Sequence, residues 1–132
     1  RRFYADALSL SAATDAETAP EFRDRVTDLV GIPHGSRVHF LTYQSGLEPS
    51  GKLLLVYFGG QSTRRLTGRM HPSRLGVGLY THTTHDLAVL RQRLLDVGAS
   101  IEAGPAVVDG AATMLVRGPN EELFEFVEEP TA

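Results

Sequence analysis

Met114-Leu-Val-Arg-Gly-Pro-Asn-Glu-Glu-Leu-Phe-Glu-Phe-Val-Glu128 decides how this chain folds. It divides into two apolar runs separated by Gly118, Pro119 and Asn120, residues that favour turns. The stretch is therefore predicted to be strand, turn, strand. In the second run alternation sends Phe124 and Phe126 one way and Leu123, Glu125 and Val127 the other. A strand with apolar residues on both sides is at least half buried. A carboxylate on such a face costs several kcal/mol unless a metal, a cation or water meets it. Glu125 thus either lies in a solvated cleft or binds something.

Reading back from this stretch, Ala112–Arg117 is predicted to be a strand. Asp109-Gly110 is a hairpin signal, and Ala106–Val108 is a short strand before it. Asp86–Val97 has helical periodicity. Leu87, Leu90, Leu94 and Val97 form its apolar stripe, while Arg91, Gln92 and Asp96 face water. Thr83 is placed to cap this helix with Asp86 in the capping-box position, and Gly98 suits a left-handed stop. Leu75–Thr81 is predicted to be a strand with Val77 and Leu79 on one face and Gly76, Gly78 and Tyr80 on the other. The second half thus reads strand, helix, strand, strand, strand.

The first half nearly repeats this order. Residues 1–8 read as helix, with Phe3, Ala7 and Leu10 on one face. Ala12–Pro20 reads as a polar loop. Phe22, Val26 and Val30 recur every fourth residue, which predicts a short helix over Glu21–Val30 ending near Gly31. Arg37–Tyr43 and Lys52–Phe58 are predicted strands on either side of a Gly46–Gly51 loop. One strand added in front would make the halves match as two βαβββ units. A domain seldom begins mid-helix with its apolar face committed, so the opening strand of the first unit is expected to lie outside the sequence.

The bulk numbers narrow the class. A chain of 132 residues makes one domain with a real core. A net charge of -3 argues for neither nucleic acid nor an anionic membrane as partner. With no cysteine, disulfides, thiol nucleophiles and zinc-thiolate sites are excluded. Leu53–Phe58, the longest apolar run, is too short to span a bilayer, and no signal-peptide pattern opens the chain. A cytoplasmic location is expected.

Two βαβββ units side by side resemble the plan of the vicinal oxygen chelate superfamily, which includes glyoxalase I, bleomycin-type resistance proteins and extradiol dioxygenases. Phe3-Tyr-Ala-Asp-Ala-Leu8-Ser-Leu10 resembles that family's helix end, with Ser9 where glycine is usual. Leu75-Gly-Val-Gly-Leu-Tyr-Thr81 followed by Asp86-Leu-Ala-Val-Leu90 resembles its second opening strand and helix. Val116–Glu128 resembles its closing hairpin, with Gly118 in place of aspartate and Asn120-Glu121 in place of Asp-Gly. The resemblance implies an α+β fold in which two βαβββ modules with curved mixed sheets form a cleft, helices outside. Module one would span 1–58, the linker 59–74 and module two 75–132, within one domain.

Metal-dependent members of that family take four ligands from the cleft, from the first and last strands of each module. Carried over by position, Glu125 matches one ligand. A second falls on Gly76 or Leu75, a third on Leu54 or Val56, and the fourth on the strand this sequence lacks. At most two of four could be present. The resemblance therefore implies no cofactor as the expected state, with a divalent metal as the competing one. Family members without the metal keep an acidic residue at the Glu125 position, where it meets water or a neighbouring Arg or Tyr.

Other residues carry alternatives of their own. Gly76 and Gly78 on one strand face permit close approach, and Tyr80 beside them offers a stacking surface with a hydroxyl. With His39, Tyr43, Leu54, Val56 and Phe58 they would line an apolar, aromatic pocket suited to a flat organic ligand. The competing view is that these residues fill the core. His82 and His85 flank a strand-to-helix turn and read as solvated, as do His34 and His71. Arg64, Arg65, Arg69 and Arg74 read as a solvated basic connection, or as a flap toward an anionic ligand. No Ser-His-Asp arrangement stands out, and Gly59-Gly60-Gln-Ser-Thr63 lacks the lysine and helix of a phosphate loop.

The function expected from this reading is small-molecule binding without a complete metal site, similar to the antibiotic-sequestering members, in a homodimer. The alternative is a metal-dependent lyase, isomerase or dioxygenase, or a non-catalytic domain of one, completed by an absent segment or a second chain.

Overall fold

The computed structural model describes residues 2–46, 51–62, 68–71 and 78–129. The chain divides into two compact units, one formed by Ser9–Thr63 and the other by Arg1–Leu8 together with Arg64–Ala132.

The Ser9–Thr63 unit is a three-stranded antiparallel sheet with one helix. Its strands are β1 (Ser11–Glu17), β2 (Arg37–Gln44) and β3 (Leu53–Gly59), in the order β1-β2-β3. The segment expected to be a polar loop is thus the strand β1. All of its residues are exposed and none is large and apolar, so the alternation that marks a half-buried strand is missing. Pairing with β2 makes it a strand instead. Arg37 donates to Glu17 through Nε and Nη2, both at 3.2 Å, and His39 Nε2 meets Asp15 Oδ1 at 2.7 Å.

Helix α1 (Pro20–Val30) joins β1 to β2. Pro20 at its first turn has a φ already suited to a helix. Gly31, at φ 70°, closes it in the left-handed conformation, with Ile32 N–H donating to the Thr27 carbonyl at 3.0 Å. The helix was expected from the Phe22, Val26, Val30 spacing, yet it buries Thr27 instead. Phe22 and Val30 remain 55% and 47% exposed. Thr27 is accommodated because its hydroxyl donates to the Asp24 carbonyl one turn back.

The other unit is a four-stranded sheet in the order β4-β7-β6-β5, packed against helix α2 (Leu87–Asp96). Its strands are β4 (Tyr80–Thr84), β5 (Ser100–Val108), β6 (Ala111–Arg117) and β7 (Leu123–Glu128). β4 runs parallel to β7, and the other pairs are antiparallel. Of the strand expected over Leu75–Thr81, Tyr80 and Thr81 open β4, which continues through His82–Thr84 where a turn was expected; residues 72–77 lie outside the described ones. Asp109 and Gly110, at φ 50° and 85°, make the tight β5–β6 turn that their sequence announces.

The core of this unit follows from strand parity. Met114 pairs with Phe126 and Val116 with Phe124, so these four side chains share one face of the sheet, and all are buried. Leu87, Leu90 and Leu94 of α2 are buried with them. Each such side chain contributes roughly 1.5–3 kcal/mol on burial. Asp86, and not Thr83, caps α2: its side chain accepts from Val89 N–H at 2.8 Å. Glu128 Oε1 accepts a second orphan donor, Leu87 N–H, at 2.9 Å.

The opening helical turn, Phe3–Ala7, belongs to this unit although the sequence reading grouped it with module one. Phe3 and Tyr4 sit with their rings 5.5 and 6.5 Å from Phe124. The Tyr4 hydroxyl donates to Glu122, whose other oxygen accepts from Asn120 N–H at 2.7 Å. Leu10 lies beyond the turn and takes no part in its buried face.

Candidate functional site

Glu125 sits in the middle of β7, and β7 is an interior strand flanked by β4 and β6. Its position is fixed by register. Phe124 and Phe126 are 0% and 3% exposed toward α2, so Glu125 must stand on the opposite face, where it is half buried. Its row reads Thr81, Glu125, Leu115 across β4, β7 and β6. The next row reads Thr83, Val127, Thr113.

The partner of Glu125 is a hydroxyl. Thr81 Oγ1 donates to Glu125 Oε2 at 2.7 Å. The expected partners were water or a neighbouring Arg or Tyr; among side chains it is this threonine that meets the carboxylate. Arg117, the nearest arginine in sequence, is engaged at the end of β6. Its Nη1 donates to the carbonyls of Met70 and Glu121, both at 3.0 Å, and Nη2 lies 3.5 Å from Glu102 Oε2. Thr81 was missed in the sequence, although its parity is that of Leu79, opposite Tyr80. A carboxylate has about four lone-pair sites, so one hydroxyl leaves it able to accept further hydrogen bonds.

The residues grouped into one pocket from sequence do not share a face. Tyr80 pairs with Phe124 and His82 with Phe126, which turns both toward the core side, away from Glu125. Their rings lie 5.6 Å (Tyr80) and 5.8 Å (His82) from that of Phe124, and Tyr80 stays 37% exposed at the sheet edge. Gly78 precedes β4 and lies outside its pairing with β7; Gly76 is outside the described residues. Burial lowers the His82 imidazole below its ordinary value. His85 is exposed and pairs with Glu129 at 2.9 Å.

In the three-stranded sheet the split is equally clear. His39 pairs with Tyr57 and Tyr43 with Leu53 on one face, whereas Phe40 pairs with Val56 and Thr42 with Leu54 on the other. His39 and Tyr43 are therefore separated by the sheet from Leu54 and Val56. Tyr43 is buried, while Leu54 and Val56 are 54% and 38% exposed. A cavity of about 240 Å³ opens at the C-terminal end of α2, lined by Phe3, Val97, Arg117, Pro119 and Glu121 among others. None of the residues assigned to a pocket from sequence lines it.

Among the described residues no three His, Cys, Asp or Glu side chains gather as ligands would. The row of Glu125 offers a hydroxyl and a leucine beside the carboxylate. No helix among the described residues is long and apolar enough to cross a membrane.

With this geometry in place, comparison with solved structures defines the class of fold. The chain has the fold of the glyoxalase, bleomycin resistance and dioxygenase proteins, the vicinal oxygen chelate fold. It is similar to a glyoxalase family protein from Bacillus cereus, with 21% identity, a TM-score of 0.73, and 93% of this chain and 80% of that one covered. It is similar to an antibiotic binding protein from a Streptomyces species, with 14% identity, a TM-score of 0.58, and coverage of 96% and 80%. It is also similar to glyoxalase I from Zea mays, with 13% identity and a TM-score of 0.58; there 99% of this chain covers 40% of the maize protein. No family profile and no curated protein sequence matches the chain. Identities this low speak for the fold alone.

Proposed function

We propose that this protein binds a small organic molecule on the Glu125 face of its second sheet and breaks no bond in it. The Thr81–Glu125 hydrogen bond carries the reading: it holds a carboxylate outward, on a face that also carries Leu115, Leu123, Val127, Arg117 and threonine hydroxyls. Such a face suits a ligand with an apolar body and a hydroxyl, amine or amide N–H aimed at the carboxylate. The fold supports the reading, since an antibiotic binding protein shares it. We further propose that the protein acts as a homodimer in the cytoplasm, without a resident metal.

Calorimetric titration with a panel of flat, hydroxyl-bearing antibiotics, together with elemental analysis of the purified protein, tests this. One or more panel members should bind, and Glu125→Gln should weaken that binding by about tenfold while leaving the thermal midpoint unchanged. Stoichiometric Fe, Ni, Zn or Mn that is lost in Glu125→Gln would sink the reading. It would favour the metal-dependent enzyme, for which the match of Glu125 to a family ligand position is the supporting observation.

A further inference from the structure

The cavity at the C-terminal end of α2 has no part in the Glu125 reading. Its volume is about 240 Å³. The opening helical turn, the end of α2 and the β6–β7 turn each supply part of its wall, and all three belong to one compact unit. Phe3, Val97 and Pro119 make the lining largely apolar, and Arg117 and Glu121 add two opposite charges.

The two charges are not equivalent. Arg117 is engaged within the fold by the carbonyls of Met70 and Glu121 and by the Glu102 carboxylate, and its side chain is only 18% exposed. Glu121 is half-buried, and its backbone is tied down on both sides: its N–H donates to the Gly118 carbonyl at 3.1 Å, and its carbonyl accepts from Arg117. Its carboxylate meets no partner among the described residues. The end of α2 adds charge of the same sign. Its closing bonds take up the carbonyls of Arg93, Leu94 and Leu95, whereas no donor among the described hydrogen bonds reaches those of Asp96 and Val97. A helix C-terminus carries about half a negative charge. With Arg117 balanced by Glu102, the wall is net negative and disfavours an anion.

We propose that this cavity binds a compact primary amine in its ammonium form. An ammonium has three donors and no acceptor, so a wall of carboxylate and carbonyl oxygens can satisfy it fully. Its hydrogen bond to Glu121 is charge-assisted and stronger than a neutral one. The apolar body of the amine packs against Phe3, Val97 and Pro119, and the Phe3 ring adds attraction for the cation. Size sets the upper limit. Drug-sized ligands occupy about 300–1,000 Å³, so this smaller space suits a molecule of about ten non-hydrogen atoms. The inference rests on this cavity alone and is independent of Glu125.

Amide-resolved NMR titration of the whole chain with 2-phenylethylamine tests it, against phenylacetate, which has a similar body and the opposite charge. At neutral pH the amine should bind saturably, with a Kd of about 1 mM or tighter, and shift the amides of Gly98, Ala99, Ser100 and Gly118. Phenylacetate should shift none of them. Glu121→Gln keeps the shape of the wall and should weaken amine binding about tenfold. Ala99→Phe fills the space and should abolish it. Absence of saturable binding, equal binding of phenylacetate, or undiminished binding by Glu121→Gln would each overturn the proposal. Shifts confined to Thr81, Leu115 and Val127 would overturn it too, by assigning the amine to the Glu125 face.

Discussion

Thr81 on β4 donates its hydroxyl to Glu125 on β7 at 2.7 Å, across the parallel strand pair of the second sheet. A hydrogen bond to a charged group stabilises more than a neutral one, but exposure to water reduces the net effect. Thr81→Val keeps the branched shape that suits a strand and removes only the donor. It should lower unfolding free energy by about 0.5–1.5 kcal/mol in urea titration. In the ligand panel it should also weaken binding less than Glu125→Gln does, because Thr81 orients the carboxylate without replacing it.

Phe124 should be the most costly single truncation in the unit. It is wholly buried, and the rings of Phe3, Tyr4, Tyr80, His82 and Phe126 surround it. Phe124→Ala should cost about 3–5 kcal/mol by chemical denaturation. Leu54→Ala, at a position 54% exposed, should change stability by no more than about 0.5 kcal/mol.

The cap of α2 offers a sharper comparison, since two neighbouring residues compete for the role. Asp86→Ala removes the acceptor of Val89 N–H and should cost about 0.5–2 kcal/mol. Thr83→Ala removes no cap and should leave the urea midpoint nearly unchanged. The reverse ranking would restore Thr83 as the cap.

His82 should make the fold acid-sensitive. Burial against Phe124 and Phe126 lowers its pKa in the folded protein, so the unfolded chain takes up the proton first as pH falls. Its contribution is complete above the unfolded value of about 6.5 and is lost as pH falls through the lower folded value. His34 runs the opposite way: the hydrogen bond and charge of Asp28 raise its pKa. Its contribution is therefore present below about 6.5 and is lost as pH rises through the raised value. His82→Leu should flatten the fall of the thermal midpoint on acidification, whereas His34→Ala should steepen it slightly. Differential scanning calorimetry between about pH 8 and pH 5 reads both.

Where side-chain periodicity was strong, the sequence specified the element. α2 buries Leu87, Leu90 and Leu94 of the stripe expected of it, with Val97 half-buried at its C-cap, and the closing hairpin places Phe124 and Phe126 together as alternation requires. β1 was not legible because an exposed edge strand of small and polar residues has no face to advertise. The face assignments failed for a different reason. Alternation sorts the residues of one strand into two sets, but it does not say which set of a neighbouring strand lies on the same side. Parity within one strand sets Tyr80 with Gly76 and Gly78, and only the pairing of Tyr80 with Phe124 shows that Tyr80 stands opposite Glu125. The same ambiguity joined His39 to Leu54.

The hydrogen bond from Tyr4 to Glu122 links residues 118 positions apart. During synthesis, Phe3 and Tyr4 are made well before Glu122 and Phe124. At roughly 5–20 residues per second the opening aromatic pair waits several seconds for its partners. Ser9–Thr63, by contrast, is continuous in sequence and can pair its strands while the rest is still being made. The continuous segment can therefore close before the discontinuous unit, which needs residues on either side of it.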